Sequence, residues 1–217
     1  MVMEKISSGA EAEVYSHDGL VVKSRPKKGY RIETLDRSLR AFRTRREVKI
    51  MKRLSNSIDV PEVTCYSDGK RIYGDMPDGV DAGDVFIIMS YVDGKKMRDV
   101  LSSDNYPGIM REAGRITGKM HSQGVAHGDL TTSNFIYSER IFLIDFGLSV
   151  FTDKVEDKAV DIHIFRQALE SGHPPIYEDA FKEFLLGYRK GSEDAEKVLE
   201  RFDKVESRGR YKKKQKR

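Results

Sequence analysis

Between His127 and Gly147 the sequence reads His127-Gly128-Asp129-Leu130-Thr131-Thr132-Ser133-Asn134, then a short apolar hairpin, then Asp145-Phe146-Gly147. Asp145 and Asn134 offer the hard oxygens that magnesium prefers. Magnesium is usually held by one or two side chains together with phosphates and water. Asp129, one loop away, is placed to accept the proton of an incoming hydroxyl or water. This is equipment for phosphoryl transfer, which needs metal ions, a cation on the phosphates and an oriented nucleophile more than it needs covalent chemistry. An Asp-Phe-Gly string alone says little. The ordered set with an apolar hairpin between its halves is far more specific.

The cation is expected in the N-terminal part of the chain. Lys23 ends the apolar string Leu20-Val21-Val22. Glu47 lies within a helical stripe, because Ile50, Met51 and Leu54 follow it at helical spacing. Carboxylates rarely face inward without a partner, so Glu47 needs a cation and Lys23 is the natural one. Ahead of Lys23, the segment Ile6-Ser7-Ser8-Gly9-Ala10-Glu11-Ala12-Glu13-Val14 reads as a loop that covers a nucleotide. It carries a single glycine and so does not match Gly-x-Gly-x-x-Gly. Asp129, Asn134 and Asp145 are spaced as protein kinases space a catalytic aspartate and two magnesium ligands, which implies ATP and Mg2+.

The elements that must position these residues follow from pattern. Glu4 to Val22 predicts strand, turn and strand, with Asp18-Gly19 as a tight turn and Leu20 to Lys23 as a third strand. Asp36 or Ser38 is expected to cap a helix running to about Leu54, with Leu39, Phe42, Ile50, Met51 and Leu54 as its apolar stripe. Val63 to Tyr66 and Val85 to Val92 read as strands around the loop Asp75 to Asp84, and Asp93-Gly94-Lys95 as a crossover. Beyond it, Ile109, Ala113, Ile116 and Met120 mark a helix, and Phe135 to Tyr137 pairs with Ile141 to Ile144. Three helices follow, marked by Val160, Ile164 and Ala168, by Tyr177, Phe181, Phe184 and Tyr188, and by Ala195, Val198, Leu199 and Phe202. The pattern changes from mostly strand to mostly helix near Asp93. It implies an α+β fold of two small lobes sharing a cleft. Residues 1–92 would form a β-rich N-lobe with one main helix, 93–207 a mainly helical C-lobe, and 208–217 a basic tail.

Composition bounds the rest. The 217 residues carry a net charge of +4, and the stretch from Arg208 to Arg217 alone holds more positive charge than that balance. Such a tail attracts phosphate-rich partners such as RNA, or is a solvated end. Cys65 is the only cysteine, so no internal disulfide can form, which fits a reducing cytoplasm. The longest apolar run, Val85 to Met89, is too short to span a bilayer, and Met1 to Lys5 has no signal-peptide core. No membrane role is expected.

Several strings resemble the small atypical kinase of the KEOPS complex, the PRPK family. They are Gly9-Ala10-Glu11-Ala12, Lys27-Lys28-Gly29-Tyr30-Arg31, Leu35-Asp36, Arg43-Thr44-Arg45-Arg46-Glu47, His127 to Asn134, Glu156 to Asp161 and Arg208-Gly209-Arg210, in order along nearly the whole chain. The resemblance implies a reduced bilobal protein-kinase-like fold that binds ATP and Mg2+. It further implies Ser/Thr kinase and ATPase activity supporting threonylcarbamoylation of tRNA at the adenosine beside the anticodon. The implied direct partner is the actin-like ATPase that is the catalytic subunit of the complex, with a second small subunit docking on the N-lobe and tRNA a candidate partner of the basic tail. By the same resemblance Lys23 and Glu47 serve the phosphates, Asp129 is catalytic, and Asn134 and Asp145 bind metal. Ile6, Gly9, Ala10, Glu11, Ala12 and Val14 cover the nucleotide. The backbone of Ser90 and Val92 is expected to contact adenine, although the family often has an acidic residue where Ser90 stands.

Two departures from regulated kinases shape the expected activity. Gly128 stands where those enzymes carry an arginine that receives a phosphorylated activation loop, so that receptor is lost. The stretch between Asp145 and Asp161 is short and lacks Ala-Pro-Glu, leaving little from which to build a protein-substrate platform. Both favour water or a bound partner as acceptor. The alternatives are a RIO-like protein kinase outside KEOPS and a non-catalytic ATP- or RNA-binding scaffold. A RIO protein would add an N-terminal region for which this sequence leaves no room. A scaffold has no chemical need for all five polar residues.

Overall fold

A computed structural model describes residues 3–81 and 83–214, with side chains for residues 3–81 and 83–207. The chain divides into two compact units. The first comprises Met1–Ser55 and Val60–Asp93, and the second Asn56–Asp59 and Gly94–Arg217.

The first unit is one antiparallel sheet and one long helix. Its elements are β1 (Glu4–Ser8), β2 (Glu13–His17), β3 (Leu20–Ser24), α1 (Glu33–Leu54), β4 (Val63–Asp68), β5 (Ile72–Tyr73) and β6 (Val85–Ser90). The strand order is β1-β2-β3-β6-β4-β5. Asp18 and Gly19 both have positive φ, 46° and 75°. That is what a two-residue hairpin turn requires, and it sets His17 opposite Leu20. β6 is central, so Val85 to Met89 is buried on both faces. One face, Phe86 and Ile88, packs with Val22 and Cys65. Alternation leaves Ile87 on the other face beside its cross-strand partner Lys23, and α1 covers this face. β5 is a two-residue edge strand on β4, too short to show a period in the sequence.

Helix α1 departs from its expected form. It starts at Glu33 after Ile32, so neither Asp36 nor Ser38 is the cap. Asp36 instead lies buried in the first turn and accepts from Arg40 Nε at 2.7 Å, one turn on. Phe42 is 53% exposed rather than part of an apolar stripe. The N-terminal half of the helix buries Asp36, Arg40 and Thr44, and only the C-terminal half buries Ile50, Met51 and Leu54. Ion pairs and a hydrogen bond from Arg25 to Thr44 hold the polar half, which a hydrophobic period does not register.

The second unit contains β7 (Lys95–Lys96), α2 (Met97–Val100), α3 (Tyr106–Ser122), β8 (Val125–Ala126), β9 (Phe135–Tyr137), β10 (Ile141–Leu143), β11 (Val150–Phe151), α4 (Val155–Gly172), α5 (Tyr177–Gly191) and α6 (Ala195–Lys214). Short 3-10 turns occupy Thr132–Asn134 and Phe146–Leu148. Asn56–Asp59 joins this unit through Leu143 N–H to Asp59 O (3.0 Å) and Arg140 to Asp59 (2.9 Å). Helix α6 carries helical backbone past residue 207. On α4 the buried apolar face is Ala159, Ile162, Phe165 and Leu169, whereas the expected marker Val160 is exposed. Both sets recur at helical spacing, so the period left the phase open, and packing on α5 and α6 took the bulkier set. Among the described residues no helix is long and apolar enough to cross a membrane.

Helices α3 and α5 meet with almost no space between their backbones. Gly114 and Gly118 on α3 face Gly187 and Gly191 on α5, a Gly-x-x-x-Gly pair on each side. A Cβ on Gly114 would lie 1.9 Å from Phe184 O, and one on Gly187 would lie 1.8 Å from Arg111 O. Replacing helical glycine by alanine ordinarily gains about 1 kcal/mol, but here the added methyl meets backbone that cannot rotate away. Gly114→Ala and Gly187→Ala are each expected to lower unfolding stability in urea by about 3 kcal/mol or more. Gly108→Ala, at an open position on α3, should raise it by up to about 1 kcal/mol.

Candidate active site

In the first unit, Lys23 Nζ donates to Glu47 Oε1 at 2.7 Å and both side chains are buried, so the cation expected for Glu47 is present. Lys23 reaches it because β3 sets Lys23 on the α1 face of the sheet, and Glu47 is on the inward face of α1. A second cation escaped the sequence reading. Arg25 donates to Glu47 Oε2 and, at 3.0 Å, to Thr44 Oγ1. Its signal was available, since Arg25 is two residues from Lys23, one past the end of β3, and alternation of the extended chain carries it to the same side. Buried carboxylates between two cations are well compensated, although removing one partner is costly.

The proposed nucleotide loop is the turn between β1 and β2, closed by Gly9 N–H to Ala12 O at 2.9 Å. Ala10 and Glu11 lie inside that turn. Ile6 sits where the β1–β2 register shifts and is 51% exposed. Val14 pairs with Lys23 across β2 and β3. The Glu11 carboxylate is gripped by Arg31 at 2.7 Å and Arg43 at 2.5 Å, and these cations hold its pKa below the usual carboxylate range, Arg31 most strongly. Ser90 is tied to Glu62 by both backbone and hydroxyl: its N–H donates to Glu62 O and its Oγ accepts from Glu62 N–H, each at 2.9 Å. Both polar groups of Ser90 that these bonds use are thus engaged within the sheet unit. Val92 follows the end of β6, half-buried.

In the second unit, β8 leads into the Asp129 loop. Asn134 Nδ2 donates to Asp129 O at 2.7 Å and to Asp129 Oδ2 at 3.2 Å. Ile144 N–H donates to Asn134 O at 2.9 Å. His127 Nδ1 accepts from Asp129 N–H at 3.3 Å, so Nε2 carries the proton and donates to Ile144 O at 3.1 Å. Asn134 and His127 thus grip both sides of the residue before Asp145. Asp145 has φ 62° and ψ 70°, a left-handed conformation that only small polar residues and glycine adopt readily, and its Oδ1 accepts from Gly147 N–H at 3.3 Å. Asp129 and Asp145 are exposed, and Asn134 is nearly buried.

Asp161 organises this loop, and the sequence reading gave it no role. Its carboxylate accepts from His127 N–H at 2.5 Å, Gly128 N–H at 2.8 Å and His121 Nε2 at 3.2 Å. His121 Nδ1 in turn accepts from Tyr188 Oη at 2.8 Å. A buried line of polar groups therefore runs from α5 through α3 and α4 to the backbone beside Asp129. Gly128 has φ 80°, and a Cβ there would lie 2.7 Å from Leu148 O. The position expected to lack an arginine thus has no room for a side chain.

A sheet unit with a buried Lys–Glu pair and a helical unit with an Asp–Asn loop preceding Asp-Phe-Gly define a protein-kinase-like phosphotransferase. Residues 2–126 match the phosphotransferase enzyme family. The chain is 35% identical to the KEOPS complex subunit Bud32 of Pyrococcus abyssi, over 96% of each. It is 37% identical to a probable bifunctional tRNA threonylcarbamoyladenosine biosynthesis protein of Methanocaldococcus jannaschii, covering 95% of this chain and 36% of that one. In fold it is similar to the Rio2 kinase of Chaetomium thermophilum, crystallised as an ADP/Mg2+-phosphoaspartate complex. That likeness has a TM-score of 0.57 at 17% identity, over 95% of this chain and 70% of the other. The chain belongs to the Bud32 family of phosphotransferases, as the motif resemblance implied.

His121 is wholly buried, and burial pushes its imidazole below its usual value of 6.5 in spite of the Asp161 carboxylate beside it. The unfolded chain therefore takes up this proton more readily. The stabilisation is complete above about pH 6.5 and is lost as pH falls toward the depressed folded value. The urea midpoint should drop as pH falls below 6.5, and His121→Gln should flatten that slope. His173, also pushed down by burial, contributes with the same sign, so the two proteins must be compared with each other. Equal slopes would remove His121 as the source.

Proposed function

We propose that this chain is the Bud32 kinase subunit of a KEOPS complex. In this reading it is a Ser/Thr kinase and ATPase that supports threonylcarbamoyladenosine formation in tRNA beside the anticodon. The observation that best supports its chemistry is the attachment of the Asn134 amide nitrogen to Asp129. This leaves the amide oxygen, a hard donor, for a cation. Asn134 and Asp145 would hold Mg2+, which when bound neutralises charge on phosphate oxygens. Asp129 orients the acceptor and takes its proton. Lys23, held by Glu47, meets the phosphates. Ile6, Gly9, Ala10, Ala12 and Val14 cover the nucleotide, while Glu11, clasped by two arginines, fixes the shape of the loop. The Ser90 carbonyl and the Val92 amide take adenine.

The acceptor in this reading is water or a bound partner. The short segment after Asp145 and the absence of a side chain at Gly128 support that choice. The partner is the actin-like ATPase subunit. Support comes from the Methanocaldococcus relative, a single bifunctional protein of which this chain matches about a third. A small KEOPS subunit docks on the N-lobe, the basic segment from Arg208 contacts tRNA phosphates, and the protein works in the cytoplasm.

Assays with γ-labelled ATP, scoring free phosphate and phosphoprotein separately, test this reading. Lys23→Ala and Asp129→Ala should each reduce turnover by about a hundredfold or more, and free phosphate should dominate once the ATPase subunit is added. Mainly phosphoprotein would refute the hydrolytic role. Complexes that still modify tRNA with both variants would mark the chain as a scaffold. Truncation after Ser207 should weaken tRNA binding and flatten its salt dependence. Unchanged affinity and slope would exclude the tail.

A further inference from the structure

On helix α1 and on the segments packed beside it, carboxylates are shared between cations. Glu47 is shared by Lys23 and Arg25. Glu11 is shared by Arg31 and Arg43. Arg46, three residues from Arg43 on the same side of the helix, has no carboxylate at ion-pair distance among the described residues. Its guanidinium instead lies over the exposed Phe42 ring, 5.2 Å from the centroid. Arg46 Nε is buried without an acceptor, and so is Nε of Arg25, whose side chain is 3% exposed. Desolvation pushes the Arg46 pKa down, and repulsion from Arg43 and Arg25 acts in the same direction against the attraction of Glu47.

Buried donors without acceptors are unfavourable, and like charges held together add to that. One ligand class answers the surplus charge by meeting the part-exposed Arg46. A tetrahedral dianion supplies several acceptor oxygens and the missing negative charge, and guanidinium forks match phosphate oxygens in pairs. We propose that Arg46 and Arg43, with Arg25 behind them, form a receptor for a phosphate monoester on α1. Two sources share that chemistry: the terminal phosphate of the nucleotide, and a phosphoserine or phosphothreonine that the chain acquires by phosphorylating itself. Because Arg25 and Lys23 divide one carboxylate, an anion that engages Arg25 alters how firmly Glu47 holds Lys23. The site would thereby link phosphate occupancy to the activity proposed above, although phosphate binding itself does not depend on that activity.

The test uses the full chain, stripped by phosphatase and checked by intact mass. Thermal unfolding is followed with rising inorganic phosphate against chloride at fixed ionic strength. Phosphate should raise the midpoint of the wild type. Arg46→Gln should weaken the fitted phosphate affinity by about tenfold or more, and Arg46→Lys, which lacks the fork, should restore it only in part. Urea unfolding of each variant shows that the fold is kept, and Arg43→Gln provides a second lesion. Absence of a phosphate effect in the wild type, or an equal effect in Arg46→Gln, would overturn the proposal. Loss of the phosphate response after self-phosphorylation identifies the phosphate of the chain itself as the occupant. Retained response, with weaker binding of a nonhydrolysable ATP analogue in Arg46→Gln, identifies the nucleotide. If the response is retained and the analogue binds both proteins equally, neither source occupies the site and the proposal falls.

Discussion

One buried carboxylate holds in place the loop of the helical unit that carries Asp129. Asp161 accepts the backbone N–H groups of His127 and Gly128, and its remaining capacity takes His121. A charged acceptor in a dry interior must be fully satisfied or it destabilises the fold. The loop that carries Asp129 is therefore not free to choose its path. Its backbone has to present two donors to Asp161, and Gly128 must adopt a positive φ to do so beside Leu148.

The helices can be seen as the means of keeping that carboxylate buried. The glycine faces of α3 and α5 bring His121 and Tyr188 within hydrogen-bonding distance. Close approach there excludes water, and exclusion of water keeps His121 neutral as a donor to Asp161. In the sheet unit a comparable centre is Glu47, whose two oxygens serve Lys23 and Arg25. Each unit thus places an exposed or reactive group by means of a buried acid, and in each the acid lies on a helix while the group it steers lies on a loop or strand.

Much of this was readable along the chain. The Asp18-Gly19 turn, the α3 stripe and the aromatic face of α5 follow from short-range pattern, and the structure shows each. The need of Glu47 for a cation followed from a carboxylate in an inward stripe. Other features resisted reading for specific reasons. Asp36 looks like a cap but is buried against Arg40. Phe42 looks like core but lies under Arg46 at the surface. Val160 shares a helical period with residues that are buried when it is not. A period reports that a face exists, and only neighbouring elements decide which face is covered.

The linear order of residues was enough to establish the order and types of the polar groups, the change from strand to helix near Asp93, and the family to which the chain belongs. These depend on local spacing and residue chemistry, which a linear string preserves. It took the folded chain to reveal that Asp161 supports the Asp129 loop, that Arg25 shares Glu47, and that the glycines of α3 and α5 face one another. Those facts join residues tens of positions apart, and the free energy that selects them comes from burial and hydrogen bonding after the chain has folded.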